Sequence, residues 1–300
     1  VALCGAEPVV PGVLRRFIER FEPWGLSRRA LTPVYGLSEA TLAVTFSELD
    51  RPFVSQRFDR YLMSSEGRAV ESEDGLELAS LGGPLEDVEV RIVDGARSDL
   101  PPGRVGVVLV RGPSVMDGYF DHPDASRRAI CDGWLDTGDL GFIHNGELYL
   151  TGRKKDVLIL RGRNHVPTEV EAVVDEIDGA RPGCSVAVSW LPEGADGELL
   201  LLLVERDQGA DRSRDTEMVD ACRRAVRVAA GLELDVVEVL EPGTLPRTSS
   251  GKLRRSESLR LYLAGELVPP EKMTPWRLAG AAFQGSVQLA RLHRMNRRRG

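Results

Sequence analysis

The stretch GWLDTGDLGFIHNGELYLTGRKKDVLILRGRNH, which runs from Gly133 to His165, organises the rest of the chain. Apolar and polar residues alternate around Leu148, and an apolar run follows at Val157–Leu160. Both patterns are typical of β-strands. The dipeptide Asn145-Gly146 favours a tight primed turn. The stretch therefore predicts two short antiparallel strands around His144–Glu147.

Two candidate functional loops flank this predicted hairpin. Asp139 belongs to a Thr-Gly-Asp sequence before it, and Arg153 to a Thr-Gly-Arg sequence after it. Loops held by a rigid scaffold commonly carry the residues that bind and react. We therefore expect both side chains to lie in loops at a functional site. We also expect a domain boundary near Arg153–Asp156, where charged residues follow a glycine.

The composition limits the number of domains and excludes some classes of function. Three hundred residues, 42% of them apolar, are enough for one large or two ordinary domains. The formal net charge of -7 argues against a nucleic-acid surface over the whole chain, because phosphate binding needs clustered Lys and Arg. The basic run Arg291–Arg299 lacks interleaved aromatic residues, and we interpret it as a solvated tail.

Cysteine usage and hydropathy indicate a cytoplasmic protein. The cysteines are scattered without metal-ligand spacing, as expected for reduced, buried thiols; they are Cys4, Cys131, Cys184 and Cys222. The chain has no apolar run near the ~18 residues that a membrane span needs, and no signal peptide opens it. We therefore expect neither a membrane span nor secretion.

The first part of the chain predicts an α/β scaffold. Apolar residues at helical spacing predict a surface helix over Gly12–Glu22, ended by Gly25. Leu31–Tyr35 predicts a strand that stops at Gly36 and leads into a small-residue loop containing Glu39. An acid in that position has a second interpretation, because it also stabilises the start of a helix.

A long polar insert and a strand pair follow. Residues Phe46–Leu81 show single hydrophobic residues among many charges, so we predict a loop-rich insert, which in a compact domain is usually functional or disordered. Val88–Val93 and Val105–Arg111 alternate in hydrophobicity and predict paired strands of a small barrel or meander. Arg127–Cys131 predicts a short helix end.

The pattern changes after His165 and predicts a compact α+β domain. A proline suited to the first turn opens the first helix. The predicted elements are, in order, a helix over Pro167–Ile177, strands over Val186–Trp190 and Leu199–Val204, a helix over Thr216–Ala230 and a strand over Val236–Leu240.

The loop Leu245–Lys252 consists largely of small polar residues, ends in a lysine and precedes a basic helix that begins at Leu253. Such loops are typical of phosphate chemistry. The order of its residues is not that of a Walker loop, and no strand with the Walker glycines precedes it. From these residues alone, phosphate binding and a solvated turn are equally good interpretations.

Four ordered motifs resemble those of the acyl-adenylate-forming enzymes, over residues 1–265 of the chain. They are Tyr35–Leu42, Gly133–Asp139, Thr151–Asp156 and Pro246–Lys252. Within that superfamily, three further features are similar to the fatty acyl-AMP ligases, which pass acyl-adenylates to carrier proteins. These are the Glu-Ala-Thr-Leu sequence that ends the first motif, the run Arg161–His165 and the insert after the first motif.

The resemblance implies a mixed fold, with α/β and α+β parts. Residues 1–154 would form the end of the large AMP-binding (adenylation) domain, including a small β-barrel-like part. Residues 155–156 would be a hinge, 157–265 a compact, mobile α+β C-terminal domain, and 266–300 a tail. Lys155 falls at the family hinge, about which the small domain turns between two half-reactions.

The resemblance also implies residue roles. Lys252 matches the lysine that offsets charge while a carboxylate attacks the α-phosphorus of ATP. Asp139 matches the acid that accepts the two ribose hydroxyls, with Arg153 as a ribose or phosphate contact. Glu39 would hold Mg²⁺ through oxygen. The remaining cofactor-binding candidates are Gly5, Ala6 and Glu7 along the adenine, Tyr35 stacked on it, and Gly36 and Ser38, the latter with a hydroxyl for phosphate.

The implied function is ATP-dependent activation of a fatty or related carboxylic acid to acyl-AMP, followed by transfer to the phosphopantetheine thiol of an acyl carrier protein. One departure is large: the glycine- and Ser/Thr-rich loop that grips the ATP phosphates in this superfamily appears nowhere in the sequence. We therefore expect an inactive fragment of a longer enzyme. The alternatives are an acyl-CoA or aryl-CoA ligase, and a non-catalytic remnant that binds a carrier protein or nucleotide.

Overall fold

A computed structural model describes residues 1–192, 197–249 and 251–269. The basic run Arg291–Arg299 lies outside these residues. In the first part of the chain the elements are β1 (Ala2–Cys4), α1 (Pro11–Phe21), β2 (Leu31–Tyr35), β3 (Thr45–Phe46), β4 (Ser55–Phe58), α2 (Arg60–Glu66), β5 (Leu76–Ala79), β6 (Gly83–Pro84), β7 (Glu89–Val93), β8 (Gly106–Arg111), α3 (Pro123–Ala129), β9 (Ile130–Cys131), β10 (Trp134–His144) and β11 (Glu147–Arg153).

In the second part the elements are β12 (Leu158–Leu160), β13 (Arg163–His165), α4 (Pro167–Val174), β14 (Ala180–Trp190), β15 (Leu199–Arg206), α5 (Asp215–Ala230), β16 (Val236–Leu240) and α6 (Arg255–Leu263). No helix among the described residues is long and apolar enough to cross a membrane.

A small mixed sheet carries the first site loops. Its strand order is β1-β2-β3-β6, and β1 and β2 run parallel, with Cys4 paired to Pro33. The carboxyl ends of these two strands therefore lie side by side, at the edge where ligands bind in open α/β sheets. Helix α1 packs on the sheet through Leu14 and Ile18, against Leu31. It begins with a proline in its first turn, as helices favour.

The barrel-like part is an antiparallel sheet in the order β11-β10-β8-β7, with β9 on β10. The predicted strand pair β7–β8 is confirmed. The hairpin turn at Asn145-Gly146 is confirmed too, because both residues have the positive φ angles, 51° and 80°, of a primed turn. The core of this sheet is apolar and buried: Val108, Val110 and Leu148 have no exposed surface. Helix α3 ends at Ala129, earlier than predicted, because β9 takes the next two residues.

The prediction that Asp139 and Arg153 lie in loops was wrong. Both residues are in strands, Asp139 in β10 and Arg153 in β11, and they face each other across the sheet as paired residues. The register of β10 shifts between Asp136 and Leu140 against β8, so the strand bulges instead of ending. A bulge re-aims side chains without breaking the sheet, and its Thr-Gly-Asp sequence is typical of a loop as well.

The insert is also more ordered than predicted. It contains the antiparallel pair β4–β5 and the helix α2, which is capped by the Asp59 side chain at 2.9 Å from the Leu62 amide and ended by Gly67 in the left-handed region. Phe58 is fully buried, with its ring edge-on to Phe142 at 4.9 Å between centroids. Aromatic pairs in this geometry contribute beyond their buried area, and this one anchors the insert to the barrel-like sheet.

The second part of the chain is a three-stranded sheet, β14-β15-β16, covered by helices α4 and α5. The sheet face toward the helices is apolar, and Leu200, Leu202 and Val204 have no exposed surface. The α+β order predicted after His165 is confirmed, although α4 ends at Val174. A separate hairpin, β12–β13, precedes α4.

Candidate functional site

Asp139 is the centre of the best-defined polar cluster. It is 6% exposed, and each of its carboxylate oxygens has one polar partner, a hydrogen-bond donor for Oδ2 and an ion-pair partner for Oδ1. The Tyr35 hydroxyl donates to Oδ2 at 2.7 Å, and Arg153 Nε lies 3.1 Å from Oδ1. Three sequence-predicted site residues from three strands are therefore brought together here.

The bulge in β10 aims Asp139 at this cluster. The Asp136 carboxylate accepts from the Gly138 amide at 2.9 Å, and the Thr137 hydroxyl donates to the Val108 carbonyl at 2.8 Å while accepting from the Asp139 amide at 3.1 Å. These bonds satisfy the backbone groups that a regular ladder would have paired. Asp136 and Thr137 are positioning residues that the sequence analysis did not identify.

Burial and charge act in opposite directions on this cluster. Burial raises the pKa of the Asp139 carboxyl, whereas the Tyr35 hydroxyl and the Arg153 guanidinium lower it. Burial, followed by the charge of Asp139, raises the pKa of Tyr35 above that of a free tyrosine, so Tyr35 stays a proton donor. The Arg153 side chain is 55% exposed. Burial therefore does not fix Arg153 in place beside Asp139 Oδ1.

Tyr35 has a structural role that differs from the expected stacking. It is 6% exposed and packs in the core with Ala40, Val44 and Leu81. Its hydroxyl is the part of the side chain that reaches the site, through the bond to Asp139. Holding the carboxylate in place is what the structure shows for Tyr35, and stacking on an adenine stays a prediction.

The loops after β1 and β2 approach other backbone closely. A Cβ at Gly36 would lie 1.6 Å from the Leu42 carbonyl oxygen, and one at Gly5 would lie 2.8 Å from the Val34 carbonyl oxygen. Glycine is required at both positions because any side chain would meet backbone. Ala6 and Glu7 follow Gly5, and Ser38 follows Gly36, all with exposed side chains. Tyr35, directly before Gly36, connects this edge to Asp139 through its hydroxyl.

Glu39 lies in a short 3-10 turn after this loop. Its Oε1 accepts from the Tyr119 hydroxyl at 2.8 Å, and burial together with Glu39 raises the pKa of Tyr119. Tyr119 is a neighbour that sequence reasoning missed. Among the described residues no Lys or Arg pairs with Glu39, and no group of three metal-ligand side chains occurs. One carboxylate that forms no ion pair among the described residues fits Mg²⁺, which keeps waters and substrate phosphates as its other ligands.

Lys252 lies apart from this cluster. It follows a tight loop in which the Thr248 amide donates to the Lys252 carbonyl at 2.8 Å and the Lys252 amide donates to Thr248 Oγ1 at 3.1 Å. Within the described residues, no hydrogen bond or ion pair joins Lys252 to Asp139 or Glu39. Lys155, the predicted hinge, is exposed in a 3-10 turn directly after β11.

The insert contacts the second part of the chain. Helix α2 packs beside β13, where the Arg163 guanidinium lies 4.7 Å from the centroid of the Tyr61 ring. Arg60 Nη1 lies 3.8 Å from Oε2 of Glu169. Burial raises the pKa of the Glu169 carboxyl, and Arg60 opposes that shift. The insert therefore bridges the barrel-like sheet and the beginning of α4.

The comparison with protein families supports the resemblance. The family of AMP-binding enzymes matches residues 1–120. A 4-hydroxyphenylalkanoate adenylyltransferase of Mycobacterium marinum is 40% identical over 284 residues, which cover 86% of this chain and 44% of that protein. The long-chain-fatty-acid–AMP ligase FadD23 of Mycobacterium tuberculosis is 34% identical over 282 residues, 88% of this chain and 47% of that protein.

A solved structure gives the same result for the fold. A structure from a study of fatty acyl-adenylate ligases of E. coli and L. pneumophila superimposes with a TM-score of 0.79 and 31% identity, covering 88% of this chain and 47% of that one. The chain thus spans about half the length of the curated relatives it matches. It is similar to the AMP-binding, acyl-adenylate-forming enzymes and, among them, to the fatty acyl-AMP ligases.

Proposed function

We propose that the full-length protein activates a fatty or related carboxylic acid with ATP and Mg²⁺ to acyl-AMP, and then passes the acyl group to the thiol of an acyl carrier protein. The observation that carries this proposal is the buried Asp139 carboxylate, held by Tyr35 on one side and paired with the movable Arg153 on the other. A carboxylate with two acceptor oxygens is suited to bind a ribose through both hydroxyls.

The other site residues take complementary roles. The backbone of Gly5, Ala6 and Glu7 lines the adenine, while Gly36 and Ser38 approach the phosphates from the next strand. Mg²⁺ held by Glu39 would neutralise phosphate charge. Lys252 offsets the charge that develops as the substrate carboxylate attacks the α-phosphorus and pyrophosphate leaves.

Lys252 must travel to perform this role, because within the described residues no hydrogen bond or ion pair joins it to Asp139 or Glu39 in this structure. We propose that residues 157–265 form a domain that turns about the hinge at 155–156. Lys155 is exposed and has no ion pair among the described residues, so few contacts oppose rotation at this position. Such hinge motions complete the catalytic site in many enzymes.

The proposal also covers the substrate class, the acyl acceptor and the location of the protein. One relative is named for a 4-hydroxyphenylalkanoate and another for a long-chain fatty acid, so fatty and aryl-alkanoic acids are both candidate substrates. A carrier protein is favoured over free CoA as acyl acceptor, since the insert contacts α4 and β13 and would oppose the particular domain orientation that admits free CoA. We place the protein in the cytoplasm, consistent with its free cysteines.

The experiment that tests this function supplies the full-length protein with ATP, Mg²⁺ and fatty acids or 4-hydroxyphenylalkanoates. Acyl-AMP should form, and the acyl group should move to a phosphopantetheinylated carrier protein faster than to CoA. Formation of acyl-AMP with CoA as the preferred acceptor would favour the acyl-CoA ligase alternative. Absence of acyl-AMP with every acid would favour the non-catalytic binding protein.

Asp139→Asn should weaken binding of a non-hydrolysable acyl-AMP analogue. The substitution keeps the shape but removes the charge that strengthens two hydrogen bonds to ribose, worth ~1.5–3 kcal/mol. This corresponds to an affinity loss of about 10- to 100-fold, measurable by calorimetry. Asp136→Asn is the matched control, since its amide oxygen still accepts from Gly138 in the same bulge. An unchanged dissociation constant for Asp139→Asn would leave Asp139 with a structural role alone.

A further inference from the structure

The loop that carries Lys252 is fastened to the sheet by one arginine. Arg247 Nη1 donates to the Gly251 carbonyl at 2.7 Å, directly before Lys252. Its Nη2 lies 3.2 Å from the Gly183 carbonyl and 3.0 Å from the Cys184 sulfur, both in β14. The planar guanidinium is thus a bracket between the tip of the loop and a strand of the sheet. A guanidinium presents several donors in a fixed fork, which a lysine does not.

The strand side of this bracket is itself fixed. The register of β14 shifts between Ala180 and Ser185, and Gly183 has a φ of 66°, so the strand bulges where it meets Arg247. The Gly183 amide donates to Oδ1 of Asp175, just after α4, at 2.9 Å. Because the strand bulges here, the Gly183 carbonyl accepts from Arg247 instead of pairing with the neighbouring strand. The hydrogen bond to Asp175 at the end of α4 holds the bulge in place.

The beginning of the loop has a separate anchor. Glu205 has no exposed surface, and its Oε1 accepts from the Leu245 amide at 2.8 Å while Oε2 accepts from Arg181 at 2.8 Å. Hydrogen bonds to an ionised carboxylate are stronger than those between neutral groups, so Glu205 holds the Leu245 backbone in place. The base of the loop thus stays fixed without Arg247, and the role left to Arg247 is the orientation of the loop tip.

We propose that Arg247 is the positioning residue for Lys252: by bracing the Gly251 carbonyl against the β14 bulge, it sets the direction in which the lysine leaves the loop. This inference rests on the proposed function. A displacement of about 1 Å in a charge-stabilising group lowers a rate by as much as ~10²-fold, so the bracket matters for adenylate formation and not for transfer of the acyl group.

The test compares Arg247→Gln with Arg254→Gln in the full-length protein. Arg254 lies in the same segment, is exposed, and makes no side-chain hydrogen bond among the described residues, so its variant loses the same charge without losing the bracket. Arg247→Gln should lower kcat for acyl-AMP formation about 10- to 100-fold, with little change in KM for ATP. Arg254→Gln should retain nearly full activity, and Arg247→Lys should recover part of it.

A double-mutant cycle with Lys252→Ala separates positioning from direct action. If Arg247 acts through Lys252, Arg247→Gln should cost nothing further in the Lys252→Ala background. An additional loss there, equal losses in Arg247→Gln and Arg254→Gln, or equal losses in both half-reactions would each overturn the inference. Full adenylating activity of Lys252→Ala would instead overturn the role proposed for Lys252 itself, and the inference with it.

Discussion

Lys252→Ala should lower acyl-AMP formation by the full-length protein by at least about 10²–10³-fold, the usual loss when one preorganised charge-stabilising donor is removed. Transfer of the acyl group from supplied acyl-AMP should survive, because that step breaks the bond between the acyl carbon and the phosphate oxygen and involves no attack at the α-phosphorus. The loop itself should tolerate the change, since its hydrogen bonds use backbone groups of Lys252 and not its ammonium.

The two half-reactions provide the measurement. Adenylation is followed by pyrophosphate release, and transfer by the disappearance of purified acyl-AMP in the presence of carrier protein. Arg254→Ala is a suitable control, because it removes a nearby exposed cation. A matching loss in both half-reactions would indicate damage to the fold and would contradict a specific role of Lys252 in adenylation.

The second large effect should come from the contact between the insert and the second part of the chain. Replacing Arg60 and Tyr61 together by alanine removes the ion pair to Glu169 and the stacking on Arg163. Contacts of these kinds contribute ~0.5–1 kcal/mol each. If they oppose the domain orientation that admits free CoA, their loss should raise acyl-CoA formation about 5- to 30-fold at unchanged adenylation.

The structure also explains why point variants are better than removal of the whole insert. Deleting Pro52–Glu71 would remove Phe58, which is fully buried against Phe142 and Tyr149, and loss of such a core side chain costs ~3–5 kcal/mol. Arg68→Ala is the matched control, since Arg68 belongs to the insert but pairs with Glu66. A double variant that adenylates normally and still ignores CoA would exclude this contact as the source of selectivity.

Two features in which the chain resembles the fatty acyl-AMP ligases, the insert and the Arg161–His165 run, meet in one place. Helix α2 of the insert packs on β13, and the Tyr61 ring lies under Arg163. From the sequence they are two separate features, because nothing local relates residues that far apart. The structure makes them two sides of a single contact.

Local chemistry explains which parts of the fold the sequence predicts. The turn at Asn145-Gly146 and the strands beside it follow from the backbone preferences of two adjacent residues. The order within the insert does not, because Phe58 is buried by residues of β10 and β11, and tertiary contacts override weak local patterns. Single apolar residues among charges are typical of a loop, and the sequence does not show the tertiary partners that order this insert.

The site residues also fall into those that a sequence motif identifies and those whose contacts depend on the tertiary structure. Asp139 and Arg153 are recognisable by their motifs, but their direct pairing depends on the bulge that shifts the register of β10. The bond from the Tyr35 hydroxyl depends on the packing of three strands. Tyr119, which contacts Glu39, has no local sequence signal at all.

The most direct test of the central claim is exchange of labelled pyrophosphate into ATP, measured for the full-length protein and for the 300-residue chain alone. The 300 residues contain no glycine- and Ser/Thr-rich loop of the kind that grips ATP phosphates. We predict exchange by the full-length protein that depends on Mg²⁺ and on a fatty or aryl-alkanoic acid, and none by the isolated chain. Failure of the full-length protein to exchange with any such acid, or equal exchange by the 300 residues alone, would contradict the account.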